Sequence, residues 1–479
     1  MTDSFSSNLR ILLERFPNLA RTVAEAQDDD VTITPAKSGA LSGKTTEVWL
    51  SSRYDPVKEA QSFVKGQNIR MGSSVLLYGI GLGYHLRLLL DAIGPNGHLV
   101  AAEANPSILK AALKVMGNQT VLEDKRLTMV SGHDENEFLG RWSSAMNTLD
   151  HNKTKVVIHT PSLQSLPADF QKVKNAIELI RMERRFPLIM GGAEKENFSR
   201  NLKKVLVSRG IARLKGAMAG GMAIIVGAGP SLDRDIIYLA LSKKMTVIAS
   251  DTSLPVLLSA GITPDFVISA DPKPDSLSHF ELAKSYNLPL IAMPTSNANI
   301  IERWTGPLFF GFREPGRFPA PAKEWAQKMG VFESGGSVSC LAMELSIAMG
   351  AKAVTLIGQD FGYPAERAYS TGCAPQIIGA TLPNDDEVLE GVDYFGRKIK
   401  TSVNLYSYRR TFEELVAKSA TKTFTLSACG LSLEGVEAIP SLAQLAFKTA
   451  KGDFASAFKP AEAEPENHVE EAFRNWITS

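Results

Sequence analysis

Apolar side chains recur at helical spacing near the start of the chain (Leu9, Leu12, Leu13, Phe16, Leu19, Val23). Residues 5–27 are therefore predicted to form an amphipathic helix that stops at the acidic run 28–30. Residues 31–66 are mixed and turn-rich, with 48–50 as a short strand. At Ser73 the period changes. The apolar run 75–78 leads into Gly79-Ile80-Gly81-Leu82-Gly83, helical spacing begins at Tyr84 or His85, and a second run, 99–102, ends on Glu103. That order is a β-loop-α-β unit, and 156–159 reads as a further parallel strand. Residues 169–215 have a helical period and many Lys and Arg, which predicts solvated helix faces. Short apolar runs then alternate with helix-length segments: 222–226, 246–250, 266–270, 288–292, 308–311 and 353–357. This alternation predicts a mostly parallel sheet covered on both faces. An irregular stretch, 363–398, precedes a helix at 401–415 and a strand at 423–428. The tail after 455 is poor in hydrophobic residues until a short last helix near 469–477.

The predicted fold class is α/β. Residues 1–65 form an N-terminal helix and mixed segment, 66–165 a Rossmann-like domain, 166–215 a helical connector, 216–440 a doubly wound catalytic domain and 441–479 a helical tail. A length of 479 residues suits several domains at about 150 residues each. Lys and Arg number 52 against 51 Asp and Glu, so no global field is available to hold nucleic acid. Three cysteines without CxxC spacing exclude a disulfide framework and a zinc knuckle, and fit a reducing cytoplasm. Asp3 near the start, with no small-residue cleavage site, argues against a signal peptide. No apolar run approaches the ~18 residues of a membrane span. HExxH and P-loop patterns are absent, which removes metalloproteases and P-loop kinases. The oligomeric state is not fixed by the sequence, and a homo-oligomer stays open.

Polar residues gather just beyond the predicted strand ends, the edge where open α/β sheets bind ligands. Gly227-Ala228-Gly229-Pro230-Ser231 follows the first strand of the central domain, and its glycines would let backbone amides approach a phosphate. Asp251-Thr252-Ser253 ends the next strand, placed to receive a ribose or base. Asp271 ends the third, where a carboxylate could bind hydroxyls or hold Mg²⁺, while Asp265 reads as a turn cap. Ser334-Gly335-Gly336-Ser337-Val338-Ser339 opens a helix as a second anion cradle, and Gln359-Asp360 leaves a buried strand, where each must be hydrogen-bonded or meet a ligand. In the N-terminal unit the glycine turn is either a nucleotide site with Glu103 on the ribose or a turn where a helix packs closely on a strand.

In the order GAGPSLD (227–233), DTSLPVLLSAGITPDFVISAD (251–271), GGSVS (335–339) and LIGQDFGY (356–363), these segments resemble the motility accessory factor (Maf) family of flagellin glycosyltransferases. The resemblance covers about 220–430, with weaker support at 52–60 and 79–85. It implies transfer of a nonulosonic acid, pseudaminic or legionaminic, from a CMP-activated donor to Ser or Thr of flagellin, with no obligatory metal and Mg²⁺ permitted. The central domain is similar in motif order to bacterial sialyltransferases. By that similarity Gly227, Ala228, Gly229, Pro230 and Ser231 would surround the donor phosphate. Asp251, Thr252 and Ser253 would face the ribose or sugar, with Asp271 a ligand contact. Gly335, Gly336 and Ser337 would hold the CMP moiety, and Gln359 and Asp360 would lie beside the nucleotide. The sialyltransferases carry Asn in place of Ala228 and a His base after the last motif, whereas this chain has no His between 280 and 467. Asp360, Asp393, Tyr394 and Glu387 are left as catalytic candidates. The glycine turn and the 251–271 stretch also resemble the archaeal 6-hydroxymethylpterin pyrophosphokinases, which use Mg²⁺ and ATP. A non-catalytic flagellin-binding protein is the remaining alternative.

Overall fold

The computed structural model describes residues 2–26, 30–117, 120–146, 148–149, 154–241, 244–334, 337–374, 388–444, 451–459 and 467–478. Contacts divide the chain into two compact units, Met1–Glu178 and Leu179–Ser479, and the division falls within the long helix Gln171–Val207.

The first unit is built on four parallel strands, β1 (Ser74–Tyr78), β2 (Leu99–Ala102), β3 (Leu127–Val130) and β4 (Thr154–Ile158), in the order β3-β2-β1-β4. The predicted first helix is two helices, Thr2–Arg15 and Pro17–Glu25. Pro17 has no N–H to continue the first helix but suits the opening turn of the second. Ile11, Leu12, Leu19 and Val23 from this pair share one buried cluster with Val75, Leu77, Leu86 and Leu90. The N-terminal segment is thus part of this unit's core.

The main sheet of the second unit has nine strands among the described residues: β5 (Arg209–Gly210), β6 (Met222–Val226), β7 (Thr246–Ser250), β8 (Phe266–Ser269), β9 (Leu290–Ala292), β10 (Leu308–Phe310), β11 (Ala353–Ile357), β12 (Lys422–Thr425) and β13 (Val436–Ala438). All pair in parallel, in the order β13-β12-β11-β6-β7-β8-β9-β10-β5. From β6 the chain builds outward to β10, then returns to lay β11 against the other side of β6, with Val226 opposite Ile357. Strand order reverses there. Every residue of β6 and β11 is buried, because alternate side chains enter cores on opposite faces. Ala223, Ile225, Val354 and Leu356 join one cluster, and Ile224, Val226, Ala353 and Ile357 another.

Three differences from the sequence reading have simple causes. The edge strands Arg209–Gly210 and Val436–Ala438 have no apolar run and exist because a neighbour offers a ladder. Val388–Val392 and Lys398–Ser402, inside the stretch read as irregular, pair as an antiparallel hairpin. The final helix, Asn467–Thr478, lies where the spacing predicts it, and the difference is its packing: Phe473 is fully buried in a cluster with Phe198, Phe310 and Phe312.

Candidate functional site

A cavity of about 340 Å³ opens beyond the C-terminal ends of β6, β7, β8 and β11. It lies at the reversal of strand order, where the connections leaving β6 and β11 lead to opposite sides of the sheet and open a crevice between them. Gly227, Ala228 and Gly229 line it from the end of β6, Asp251 and Thr252 from β7, Asp271 and Lys273 from β8, and Gln359 and Asp360 from β11. Ser337 and Ser339, at the start of the helix Val338–Ala348, close one side. Tyr369, Leu405 and Tyr408 close another.

The glycine turn works differently from the phosphate cradle that the motif suggests. The Gly227 N–H donates to Ile357 O (2.8 Å), the Gly229 N–H to Gly358 O (2.9 Å), and the Ser231 N–H to Asp360 Oδ2 (2.9 Å). These amides are already engaged, and the Asp360 carboxylate stands where a bound anion would. A Cβ on Gly227 would lie 2.4 Å from Gln359 Nε2, and one on Gly229 would lie 2.3 Å from Asp360 Oδ2. The glycines therefore permit close contact between the exits of β6 and β11. Pro230 and Ser231 do not line the cavity, and the Ser231 hydroxyl donates to Ser427 Oγ (2.9 Å).

Asp360 is 2% exposed, and among the described residues its Oδ1 has no hydrogen-bond partner. Burial pushes its pKa up to about 6. Beside it, Gln359 Oε1 accepts from Ser339 Oγ (2.6 Å), while Gln359 Nε2 is buried without a partner. The cavity wall thus carries an unpaired acceptor next to an unpaired donor, an arrangement that costs free energy until a ligand or water satisfies it.

Asp251 accepts from the Thr252 N–H (2.7 Å) and the Ser269 hydroxyl (2.7 Å). Asp271 accepts from the Lys273 N–H (2.9 Å), and burial, helped by the charge of Asp251, raises its pKa. Asp265 accepts from the Val247 N–H (2.9 Å), a structural bond outside the cavity. Ser253 also turns away from the cavity, toward Val226 O (3.1 Å) and Ser250 O (2.9 Å). Ser337 caps its helix by accepting from the Cys340 N–H (3.3 Å), while Gly335, Gly336 and Glu387 lie outside the described residues. Two catalytic candidates are corrected by their positions. Asp393 accepts from the Phe395 N–H (2.9 Å), the Arg397 N–H (2.9 Å) and Arg397 Nε (2.7 Å), which makes it the clamp of the hairpin turn. The Tyr394 hydroxyl accepts from the Leu433 N–H (3.1 Å), and neither residue lines the cavity.

Ser339, in the predicted Ser/Gly-rich helix entry, is on the wall, while sequence reasoning missed Lys273, Tyr369, Leu405 and Tyr408. Leu405 and Tyr408 stand three apart on the helix Val403–Lys418, a signal that could have been read. Tyr369 has none, because it is placed by Asp233. That carboxylate accepts from Arg367 Nη2, the Ser370 hydroxyl, and both the N–H and hydroxyl of Thr371, while the Ser370 N–H donates to Ala228 O (2.8 Å). Burial opposes the charge of Asp233, but these hydrogen bonds outweigh it and hold its pKa below the usual carboxylate range. Residues 367–371 are thereby latched over the cavity. Asp233→Ala is expected to speed amide exchange in 367–371 by about tenfold or more, since hydrogen bonds to a charged group contribute ~1.5–3 kcal/mol. Unchanged exchange would contradict the latch.

In the first unit, Glu103 faces no ribose. It is fully buried and accepts from the Ile80 N–H (3.0 Å) and the Asn105 N–H (3.2 Å). His159 and Ser162 fill the space beneath the turn: a Cβ on Gly79 would lie 2.7 Å from either side chain, and one on Gly81 would lie 2.8 Å from the His159 ring. Of the two readings of this turn, close packing is the one realised. Burial pushes Glu103 up to about 7. A pKa raised on folding gives a stabilising contribution that is full at low pH and lost as pH rises through the folded value. Relative to Glu103→Gln, the natural chain should therefore lose about 2–3 kcal/mol between pH 5 and pH 8. Denaturant titrations of both proteins at the two pH values measure this, and a pH-independent difference would rule it out.

Fold and cavity together define a doubly wound α/β protein with a cavity at its topological switch point. Residues 196–366, which include most of the cavity wall, match the family described as 6-hydroxymethylpterin diphosphokinase MptE-like. An uncharacterized protein of Treponema pallidum (strain Nichols) is 46% identical over 52 residues, 11% of this chain. The chain spans about a quarter of the length of that curated relative. Among solved structures, the MAf glycosyltransferase from Magnetospirillum magneticum AMB-1 aligns over 100% of this chain and 80% of its own, with 18% identity and a TM-score of 0.49. Among the described residues no helix is long and apolar enough to cross a membrane.

Proposed function

We propose that this chain is a cytoplasmic glycosyltransferase, one that moves a nonulosonic acid of the pseudaminic or legionaminic type from a CMP-activated donor to Ser or Thr of flagellin, a step required for flagellum assembly and motility. The observation that carries the reading is Asp360, a buried carboxylate with an unpaired oxygen in the wall of the switch-point cavity, its pKa raised toward neutrality. A general base works best when its pKa lies near the operating pH. In the proposed step the acceptor hydroxyl oxygen attacks the anomeric carbon, the bond from that carbon to the phosphate oxygen breaks, CMP leaves, and the hydroxyl proton passes to Asp360 Oδ1. The configuration inverts. The start of the helix Val338–Ala348 and the cationic residue Lys273 line the cavity and suit the charge that develops on the leaving phosphate. The order of the four motifs along the chain supports the same donor.

One observation favours a second reading. The match over 196–366 is to a family described as pterin diphosphokinase-like, and Asp251 and Asp271 on the cavity wall are the residues that would hold a Mg²⁺–nucleotide. Calorimetric titration with CMP, and separately with ATP plus Mg²⁺, distinguishes the readings. Saturable CMP binding is expected; binding of ATP–Mg²⁺ alone would overturn the transferase in favour of the kinase, and binding of neither would favour a flagellin-binding role.

A further inference from the structure

The first unit has its own switch point. From β1 the sheet builds to β2 and β3 on one side and receives β4 on the other, so the crevice between the exits of β1 and β4 is where such a sheet would take a ligand. A cavity of about 140 Å³ lies there. Its walls come from both exits, with Leu82 and His85 following β1 and His159 following β4, and from one face of the helix Pro56–Gly66 through Ala60 and Phe63. A dinucleotide has no place in it. Glu103 is engaged by backbone amides, and His159 and Ser162 fill the glycine turn.

The volume sets the size of what fits, since a cavity of about 150 Å³ accommodates one benzene-sized ring. The polar groups set its chemistry. His85 Nε2 lies 3.0 Å from Gly79 O, and a carbonyl can only accept, so Nε2 carries the proton and Nδ1 is left as an acceptor. Ser162 hydrogen-bonds Glu103 through its side chain, and its Oγ accepts from the Gly81 N–H (3.2 Å). The contact of His159 Nδ1 with that Oγ (3.0 Å) therefore uses the imidazole's own proton, and Nε2 is the second acceptor. Neither acceptor nitrogen has a hydrogen-bond partner among the described residues. Burial holds His85 at a pKa of about 4, and burial with the neighbouring His85 holds His159 low as well, so both stay neutral at pH 7. The two imidazoles lie 5.0 Å apart between ring centroids, with Phe63 edge-on to each at 5.5 and 6.0 Å. Among the described residues no cationic side chain lines the cavity, and Glu59 does.

We propose that this crevice is a second small-molecule site, separate from the transfer chemistry, which takes a neutral single-ring compound bearing an O–H or N–H donor. The apolar wall takes the ring, and an imidazole nitrogen accepts from the donor. Anions are disfavoured by the absence of a cation and by Glu59.

Calorimetric titration of the full chain with phenol, toluene and benzoate tests this. Phenol is expected to saturate one site in the ~1 mM range, with toluene about tenfold weaker for want of the hydrogen bond and benzoate weaker still. Ala60→Met, which fills the cavity, should abolish phenol binding. His159→Phe, which keeps a ring and removes the acceptor, should bring phenol down toward toluene. Absence of saturable phenol binding to the natural chain overturns the proposal, as does toluene or benzoate binding as tightly as phenol. Phenol binding unchanged in both variants would place the ligand elsewhere and overturn it too. Should Ala60→Met fail to fold, the ligand series and His159→Phe decide. None of these outcomes depends on whether CMP binds the central cavity.

Discussion

Asp360→Asn is expected to lower transfer turnover by about 10²–10⁴-fold, the usual contribution of a positioned base, while the folded protein becomes no less stable at pH 7. Both halves follow from one side chain. Oδ2 accepts from the Ser231 N–H, and an asparagine oxygen can keep that bond. Oδ1 has no partner, so the natural carboxylate carries a buried charge that asparagine does not. Because burial raises the Asp360 pKa to about 6 from 3.8, the group's stabilising contribution is present below about pH 4 and lost as pH rises through about 6. Above that, the natural chain bears the cost of the charge and the variant does not. The same titration sets the rate profile: turnover of the natural enzyme should rise through about pH 6 as the base loses its proton. Turnover of Asp360→Asn within threefold of the natural protein would remove Asp360 from the reaction. A large loss of stability at pH 7 would show that the carboxylate is an essential structural anion.

Gly229→Ala is expected to destabilise the protein by about 1–3 kcal/mol or more, and to abolish activity with it. Its Cβ would stand 2.3 Å from Asp360 Oδ2 and 2.9 Å from Gly358 O. Neither neighbour can yield easily, since the carboxylate holds the Ser231 N–H and the carbonyl holds the Gly229 N–H itself. Relief would have to come from parting the exits of β6 and β11, which moves the proposed base. Gly66→Ala is the matched control. A Cβ there meets nothing within 4 Å, and the residue is helical, so this change should be neutral or stabilising by up to about 1 kcal/mol. Chemical denaturation of both variants makes the comparison, and equal stabilities would mean that the turn is not closed by contact.

The strands that build the site were legible because a parallel sheet buried on both faces writes itself as continuous apolar runs. Their polar exits, Asp251, Asp271 and Gln359-Asp360, could be read as the ligand edge for the same reason. The allocation of hydrogen bonds could not. That the amides of Gly227, Gly229 and Ser231 are taken by the exit of β11 depends on β6 and β11 being neighbours, although about 130 residues separate them in sequence. A glycine turn reads alike whether it encloses a phosphate or a neighbouring strand end. The turn at Gly79–Gly83 shows the same ambiguity, resolved by His159 and Ser162, which follow the neighbouring strand β4 about 80 residues further along the chain. Asp393 and Tyr394 looked catalytic because they sit in a long polar stretch after the last motif, yet Asp393 closes a hairpin turn that has no apolar signature, and Tyr394 bonds Leu433 outside the cavity. Tyr369 was invisible because its position depends on bonds of its neighbours to Asp233, more than 130 residues away in sequence.

The proposed reaction is tested most directly by incubating the purified chain with a CMP-activated nonulosonic acid and unmodified flagellin and recording the intact mass of the flagellin. The expected result is a rise in steps of one nonulosonic acid residue, with one CMP released per step, and neither change with Asp360→Asn. Flagellin of unchanged mass after incubation with folded protein that binds CMP would contradict it.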